Sequence, residues 1–382
     1  MSKIKSIYFK NYKAFAEEET LELRPITLIV GKNSSGKSSI LKLLSILQSA
    51  TTGAQAQLKL NNQTVSLGSR YEDLFHNYSL TNLILGVNYE DNICLKATYI
   101  IDKGILYRYN LMVNNGTESK IFYINKDGSE QTFSNGLFFK EAFDKLNISA
   151  EKVAFSMDYI GPIRHIPERT ITFSGFNGYD SVGYDGGLAY PILLDSYLQD
   201  KTLFNRVSDW MNENLEGQKL SIEQNSPTSG TYSFFIERNN FKVNIADVGQ
   251  GVSQVLPIIV ESFMDNQKDV VAIEQPELHI HPADHANVAY RLAESAKKTG
   301  KKFVIESHSE NFLLGLRNLV SDQNTDFTSD DVLIYFVEND EESAYLDKIE
   351  IGDDGHLTKW PEGVFGESFD LLSQIMNNQR EK

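Results

Sequence analysis

Apolar residues recur along the chain in two rhythms. Short runs that are apolar almost throughout, Ile26 to Val30, Val270 to Ile273 and Phe303 to Ile305, read as strands. Longer intervals return leucine and isoleucine every three or four positions. Ile40, Leu41, Leu44 and Leu47 make residues 37–48 a helix, and residues 283–298 read as another. Strands alternating with helices of this length argue for a parallel sheet, and residues 4–30 add two or three strands around the polar turn Glu17-Glu18-Glu19. Between these halves the pattern changes. Cys94–Ile101, Ile105–Val113 and Lys120–Ile124 are strand-like runs broken by Asp102-Lys103-Gly104 and Asn114-Asn115-Gly116, which predicts a hairpin meander. A second hairpin pairs Tyr232–Glu237 with Phe241–Ile245 across Asn239-Asn240. The glycine-rich stretch Ser174–Gly187 reads as a mobile loop, and residues 193–214 as one helical interval. Val332–Val337 and Tyr345–Ile351 are the last strands before the turn-rich Trp360-Pro361-Glu362-Gly363.

Charge and cysteine usage narrow the possibilities. The 382 residues include 52 acidic and 36 basic side chains, a net charge of −16, which excludes a surface that coats nucleic acid or anionic membrane indiscriminately and leaves room for a local basic groove. A single cysteine, Cys94, excludes an internal disulfide framework and a four-cysteine zinc site, and its apolar neighbours predict a buried thiol. No apolar run approaches the roughly 20 residues that span a bilayer, and Met1–Phe9 lacks a secretory apolar segment. The expected setting is cytoplasmic, with no membrane contact.

The first apolar strand runs straight into Gly31-Lys32-Asn33-Ser34-Ser35-Gly36-Lys37-Ser38, which fits G-x-x-x-x-G-K-[ST] in its required context of strand, loop and helix. Such a loop turns successive backbone N–H groups inward as an anion nest, and the helix N-terminus adds partial positive charge on the same side. Lys37 is then placed to reach the β- and γ-phosphates of a nucleotide and Ser38 to hold Mg²⁺, with Gly31, Asn33, Ser34, Ser35, Gly36 and Ser39 completing the cradle. Glu274 stands at the C-terminal end of the apolar strand Val270–Ile273, where parallel sheets bind ligands. A carboxylate there can hold the water shell of the Mg²⁺ that bridges the phosphates. On its own, an acid after an apolar strand is more often a turn or helix cap. Beside the phosphate loop it becomes the expected partner.

Three further motifs follow in chain order: Asp247-Val248-Gly249-Gln250-Gly251-Val252-Ser253-Gln254, Glu277-Leu278-His279-Ile280-His281-Pro282, and Glu306-Ser307-His308-Ser309. The arrangement resembles the ABC-type ATPases of the SMC, RecF and overcoming-lysogenisation-defect group over about residues 3–50 and 240–312. That resemblance implies an α/β fold, an ABC-type P-loop ATPase core of a mixed sheet flanked by helices, with a β-rich and mixed insertion between Walker A and the signature motif. It divides the chain into residues 1–55 (core, Walker A), 56–235 (insertion), 236–330 (core, with signature, Walker B and switch histidine) and 331–382 (a β-rich tail). ATP and Mg²⁺ are the implied cofactors. Glu274 takes the Walker B position with Ser38 at the metal, His308 the switch position, and Gly249, Gly251 and Ser253 the signature that meets the γ-phosphate held by a second subunit. The implied assembly is a homodimer, or a higher oligomer, with ATP at its subunit interfaces.

Two positions depart from the family pattern. Gln275 stands where a glutamate usually activates the attacking water, so hydrolysis is expected to be slow unless Glu277 supplies the carboxylate. Gly249 replaces the usual signature serine and leaves the phosphate contact to backbone amides. His279, His281 and His285 with Glu277 have the look of a metal cluster, but Pro282 interrupts them and the resemblance accounts for the run without a metal. In Tyr159–Arg169, Arg164 and Arg169 are either solvated arginines of a rigid loop or contacts to nucleotide or nucleic acid, and the segment together with Trp360–Gly363 resembles a subgroup of these ATPases. With no nuclease, Toprim or Ser/His/Asp constellation in the sequence, the chain reads as a switch for a separate effector, a nuclease or toxin, in anti-phage defence. The alternative is a RecF/SMC-like clamp on DNA in repair, and a transporter ATPase subunit is disfavoured by the β-rich insertion.

Overall fold

The computed structural model describes residues 3–51, 57–62, 65–123, 135–176, 178–360, 374–376 and 378–379. Chain order begins β1 (Ile4–Lys10), β2 (Glu19–Glu22), β3 (Ile26–Gly31), α1 (Lys37–Thr51), β4 (Leu83–Tyr89), β5 (Ile93–Asp102), β6 (Ile105–Asn115) and β7 (Ser119–Tyr123). It continues α2 (Lys140–Leu146), α3 (Ala150–Val153), β8 (Met157–Ile160), β9 (Ile171–Thr172), α4 (Ala189–Leu198), α5 (Thr202–Asn214), β10 (Lys219–Gln224), β11 (Thr231–Arg238) and β12 (Phe241–Asn244). The last elements are α6 (Gln250–Phe263), β13 (Val270–Glu274), α7 (His285–Thr299), β14 (Lys302–Glu306), α8 (Glu310–Ser321), β15 (Val332–Asn339) and β16 (Ala344–Ile349).

The core sheet has the order β16-β15-β3-β14-β13-β8. Its strands β15 to β8 are mutually parallel, and β16 closes one edge antiparallel. Every residue of β3, β13 and β14 is buried, because helices cover both faces. Alternate residues serve the two sides. Ile29, Ala272 and Val304 pack toward α1 and the antiparallel sheet β2-β1-β4-β5-β6-β7, so α1 lies between two sheets. Leu28, Ile273 and Ile305 pack with the apolar faces of α4 to α8. Among the described residues no helix is long and apolar enough to cross a membrane.

The expected segment boundaries do not follow the sheets. β1 and β2 join the antiparallel sheet of the insertion, β8 from inside the insertion pairs with β13, and β15 from the expected tail pairs with β3 along its length. Hydrogen-bonding edges left open by neighbouring strands are filled from whichever part of the sequence reaches them. The interval 193–214 is two helices, broken at Gln199-Asp200-Lys201 with Lys201 left-handed at φ 62°. Cys94 lies on the half-exposed face of β5 rather than in the core. Ile124 and residues 361–363 fall outside the described residues.

Candidate functional site

Four of the five parallel strands deliver the site from their C-terminal ends. β3 leads into the loop of residues 31–38, where Ser34 (φ 62°) and Gly36 (φ 106°) take left-handed backbone. A Cβ on Gly36 would stand 3.1 Å from Ala14 and 3.2 Å from the Phe15 ring, so conformation and packing both select glycine. Lys37, only 4% exposed, carries its ammonium across the loop to the carbonyls of Gly31 (3.0 Å) and Lys32 (2.7 Å). Burial lowers its pKa, and Glu306 opposes that shift. The buried Ser35 hydroxyl has no protein partner. Residues 33–39 line a cleft of about 360 Å³ together with Gln275, Glu306 and His308. A donor-rich turn at a helix start without acids in its first turn fits a chain of phosphates, and the acids across the cleft fit their cation.

Glu274 ends β13, and Glu306 lies opposite it at the end of β14. The Tyr159 hydroxyl, from β8, donates to Glu274 Oε1. Burial, with Glu274 as neighbour, raises the phenol's pKa and keeps it a donor. Ser38 Oγ donates to Glu306 Oε2 at 2.7 Å. Gln275 sits at φ 45°, an uncommon backbone for a residue with a side chain, and its amide donates to the Glu306 carbonyl at 2.7 Å. Glu277 Oε1 accepts from the His308 backbone N–H at 2.7 Å, and its second oxygen is buried without a partner. Burial, and then the charge of Lys37, holds the His308 pKa below its ordinary value. The ring therefore meets the cleft neutral, as a hydrogen-bonding group.

Phe in place of Tyr159 is expected to leave Glu274 short of a buried donor. The cost is about 1–3 kcal/mol of folding stability, read by denaturant unfolding; an unchanged midpoint would show that Glu274 does not depend on the phenol.

The two glycines expected to form the signature, Gly249 and Gly251, lie elsewhere. Gly249 caps α6 and lines, with Gly251, a second cleft of about 370 Å³ that also borders His279, His281 and Asp284. A Cβ on Gly251 would come within 2.7 Å of the His279 carbonyl oxygen. Ser253 is buried, and its hydroxyl donates to the Gln250 carbonyl of its own helix, so it does not face that cleft with a free hydroxyl. His285 has both ring nitrogens engaged, with Ser309 Oγ (2.6 Å) and the Ile280 carbonyl (3.2 Å).

Neither arginine of the proline-rich segment lines the phosphate cleft; Arg169 is the solvated loop arginine of one expectation, and Arg164 is buried. Arg164 is 2% exposed and donates to the carbonyls of Glu274 and Gln275, while its own carbonyl accepts from Gln254 Nε2. Burial brings its pKa down to about 10. Arg169 forks onto both carboxylate oxygens of Asp247 (2.9 and 2.6 Å). Residues 164–169 thus strap the end of β13 to the loop before α6.

A family profile described as "AAA domain, putative AbiEii toxin, Type IV TA system" matches residues 26–315. The chain belongs to this AAA family. A second profile, described as "Protein of unknown function (DUF3696)", matches residues 327–375. Comparison with curated proteins finds no match. Among solved structures, an SMC head bound to the C-winged helix domain of ScpA is similar at 11% identity and TM-score 0.54, covering 91% of this chain and 98% of that one. The SMC head domain from Thermotoga maritima gives 11% identity and TM-score 0.47, over 91% and 100% of the two chains. An Smc head with extended coiled coil, bound to the C-terminal domain of ScpA from Pyrococcus furiosus, gives 10% and 0.49, over 98% and 100%. The first of these shows the shared fold. This AAA-family chain has the P-loop ATPase fold of an SMC head.

In this AAA protein one cleft gathers Asn33 to Ser39 with Gln275 and His308, while Glu274 and Glu277 are tied to its wall through Glu306 and His308. Sequence reading placed Glu306 and Tyr159 within its motifs but gave neither a role in the site. The signal for Glu306 was present: like Glu274, it is an acid directly after an apolar run, Phe303–Ile305.

Proposed function

We propose that this chain is an ATP-binding, slowly hydrolysing switch subunit that dimerises around ATP and regulates a separate effector such as a nuclease or toxin in anti-phage defence. One observation carries the dimer: the phosphate loop and the signature glycines line different clefts of the same chain. A second copy turned head to tail brings its Gly249 and Gly251 amides to the first copy's phosphates. Lys37 and the loop amides bind the phosphates, and Ser38 with Glu274 would hold Mg²⁺, which supplies charge neutralisation at the transferring phosphoryl group. His308 meets the γ-phosphate, and Gln275 or Glu277 orients the water. The pairing of an SMC head with a separate ScpA domain supports a partner-regulating reading, and the family description, with its "putative AbiEii toxin" of a toxin–antitoxin system, supports a defence setting.

Light scattering with and without a slowly hydrolysed ATP analogue tests the dimer. Wild-type protein is expected to double in mass on adding nucleotide. Gly251→Ala, which pushes against the His279 carbonyl, is expected to bind ATP normally and stay monomeric. A wild-type mass independent of nucleotide would defeat the proposal. The clamp reading is favoured instead if the ATP-bound protein, without partners, grips duplex DNA with steep salt dependence.

A further inference from the structure

Three strands converge on one acid. Glu306 closes β14 between β3, which leads to the phosphate loop, and β13, which ends in Glu274. It is 4% exposed, lines the cleft beside Lys37, and accepts a hydrogen bond from the hydroxyl of Ser38. Lys37 gives its protons to the carbonyls of Gly31 and Lys32, so its charge is near Glu306 but directed at the loop. Glu274 and Glu277 are the other acids whose charges reach Glu306. The buried, unpartnered Ser35 hydroxyl in the same cleft marks the other side as made for an anion.

A buried carboxylate beside two more is costly unless a cation joins them. Bare ATP would meet these acids as like charges, whereas a nucleotide carrying a divalent cation brings the charge they lack. Magnesium is typically held by one or two carboxylates together with substrate phosphates, which matches a pair of acids flanking a loop serine.

We propose that Glu306 is the second carboxylate of the cation site, acting with Glu274 and Ser38, and that it makes nucleotide binding depend on a divalent cation. The role rests on the nucleotide reading of the phosphate loop. Mg²⁺ favours the loaded cleft through this acid, and without Mg²⁺ the same acid works against ATP.

The test measures the affinity of the full chain for a fluorescent ATP analogue in Mg²⁺ and in EDTA. Glu306→Gln keeps a partner for the Ser38 hydroxyl and removes the charge. It is expected to weaken binding in Mg²⁺ on the order of 10- to 100-fold, as loss of a metal-orienting group does, and to leave binding in EDTA unchanged or tighter. Glu306→Asp keeps the charge and should recover part of the Mg²⁺-to-EDTA affinity ratio. Mn²⁺ titration followed by its free-ion EPR signal, with a slowly hydrolysed analogue present, is expected to show the same ordering.

A Gln variant with the wild-type ratio, or one weakened equally in both conditions, overturns the cation role. So does a Gln variant that melts well below wild type in EDTA, since that is the mark of a purely structural acid. An Asp variant no better than Gln overturns it as well. If wild-type protein binds no ATP in either condition, the nucleotide reading itself has failed; tight wild-type binding with an unchanged ratio in the Gln variant fails only the role of Glu306.

Discussion

Glutamate in place of Gln275 is expected to raise steady-state phosphate release by about 10²- to 10⁴-fold, the usual worth of general-base assistance. Gln275 lines the cleft, and its backbone already holds the left-handed geometry that a glutamate would have to adopt. The swap is nearly isosteric, so the change is chemical: an amide can orient a water but cannot take its proton. The neighbourhood favours the new acid. Glu306 lines the same cleft, with Glu274 and Glu277 acting on it, and like charges raise a carboxyl's pKa toward neutrality, where a base is most effective. An unchanged rate would sink the idea that hydrolysis waits for a missing base. Glu277→Gln then separates the remaining cases: a collapse of turnover names Glu277, already oriented by the His308 amide, as the working carboxylate.

Removing the Lys37 side chain as Lys37→Ala is expected to cost about 1.5–3 kcal/mol of ATP affinity, roughly 10- to 150-fold, if one charge-assisted contact to the phosphates is lost, and more if two are. Titration calorimetry reads the loss directly. Two carbonyls, of Gly31 and Lys32, also lose their donor, so the unliganded variant must be melted alongside. Nucleotide bound with wild-type affinity would mean that the loop of residues 31–38 does not hold phosphate.

Many residues of the candidate cleft stand out in the sequence, for a physical reason. The phosphate loop, Glu274 and His308 each stand at or just beyond the end of a short, mostly apolar strand, and a strand covered on both faces reads as a near-continuous apolar run. The amphipathic α8, by contrast, went unread although Ser309 caps it by accepting from the Phe312 amide. What stayed hidden depends on contacts distant in sequence. Ser38 meets Glu306 across 268 positions, and Arg164 finds its carbonyl acceptors 110 and 111 positions away. In sequence, Arg164 sits in a proline-punctuated segment that looks solvated; in the fold its neighbours Ile163 (82% exposed) and Ile166 (74%) are the ones left outside. The partner strand of Met157–Ile160 was equally unreadable, since four residues carry too little pattern to choose an edge.

The strap of residues 164–169 has a consequence for timing. One end grips the carbonyls of Glu274 and Gln275, and the other holds Asp247, two residues before Gly249. In the proposed pair these two ends serve different nucleotides, one bound by the chain's own loop and one by its neighbour's. Each copy would then carry a short rigid lever from one ATP to the other, so that spending the first loosens the grip on the second and the two subunits part together.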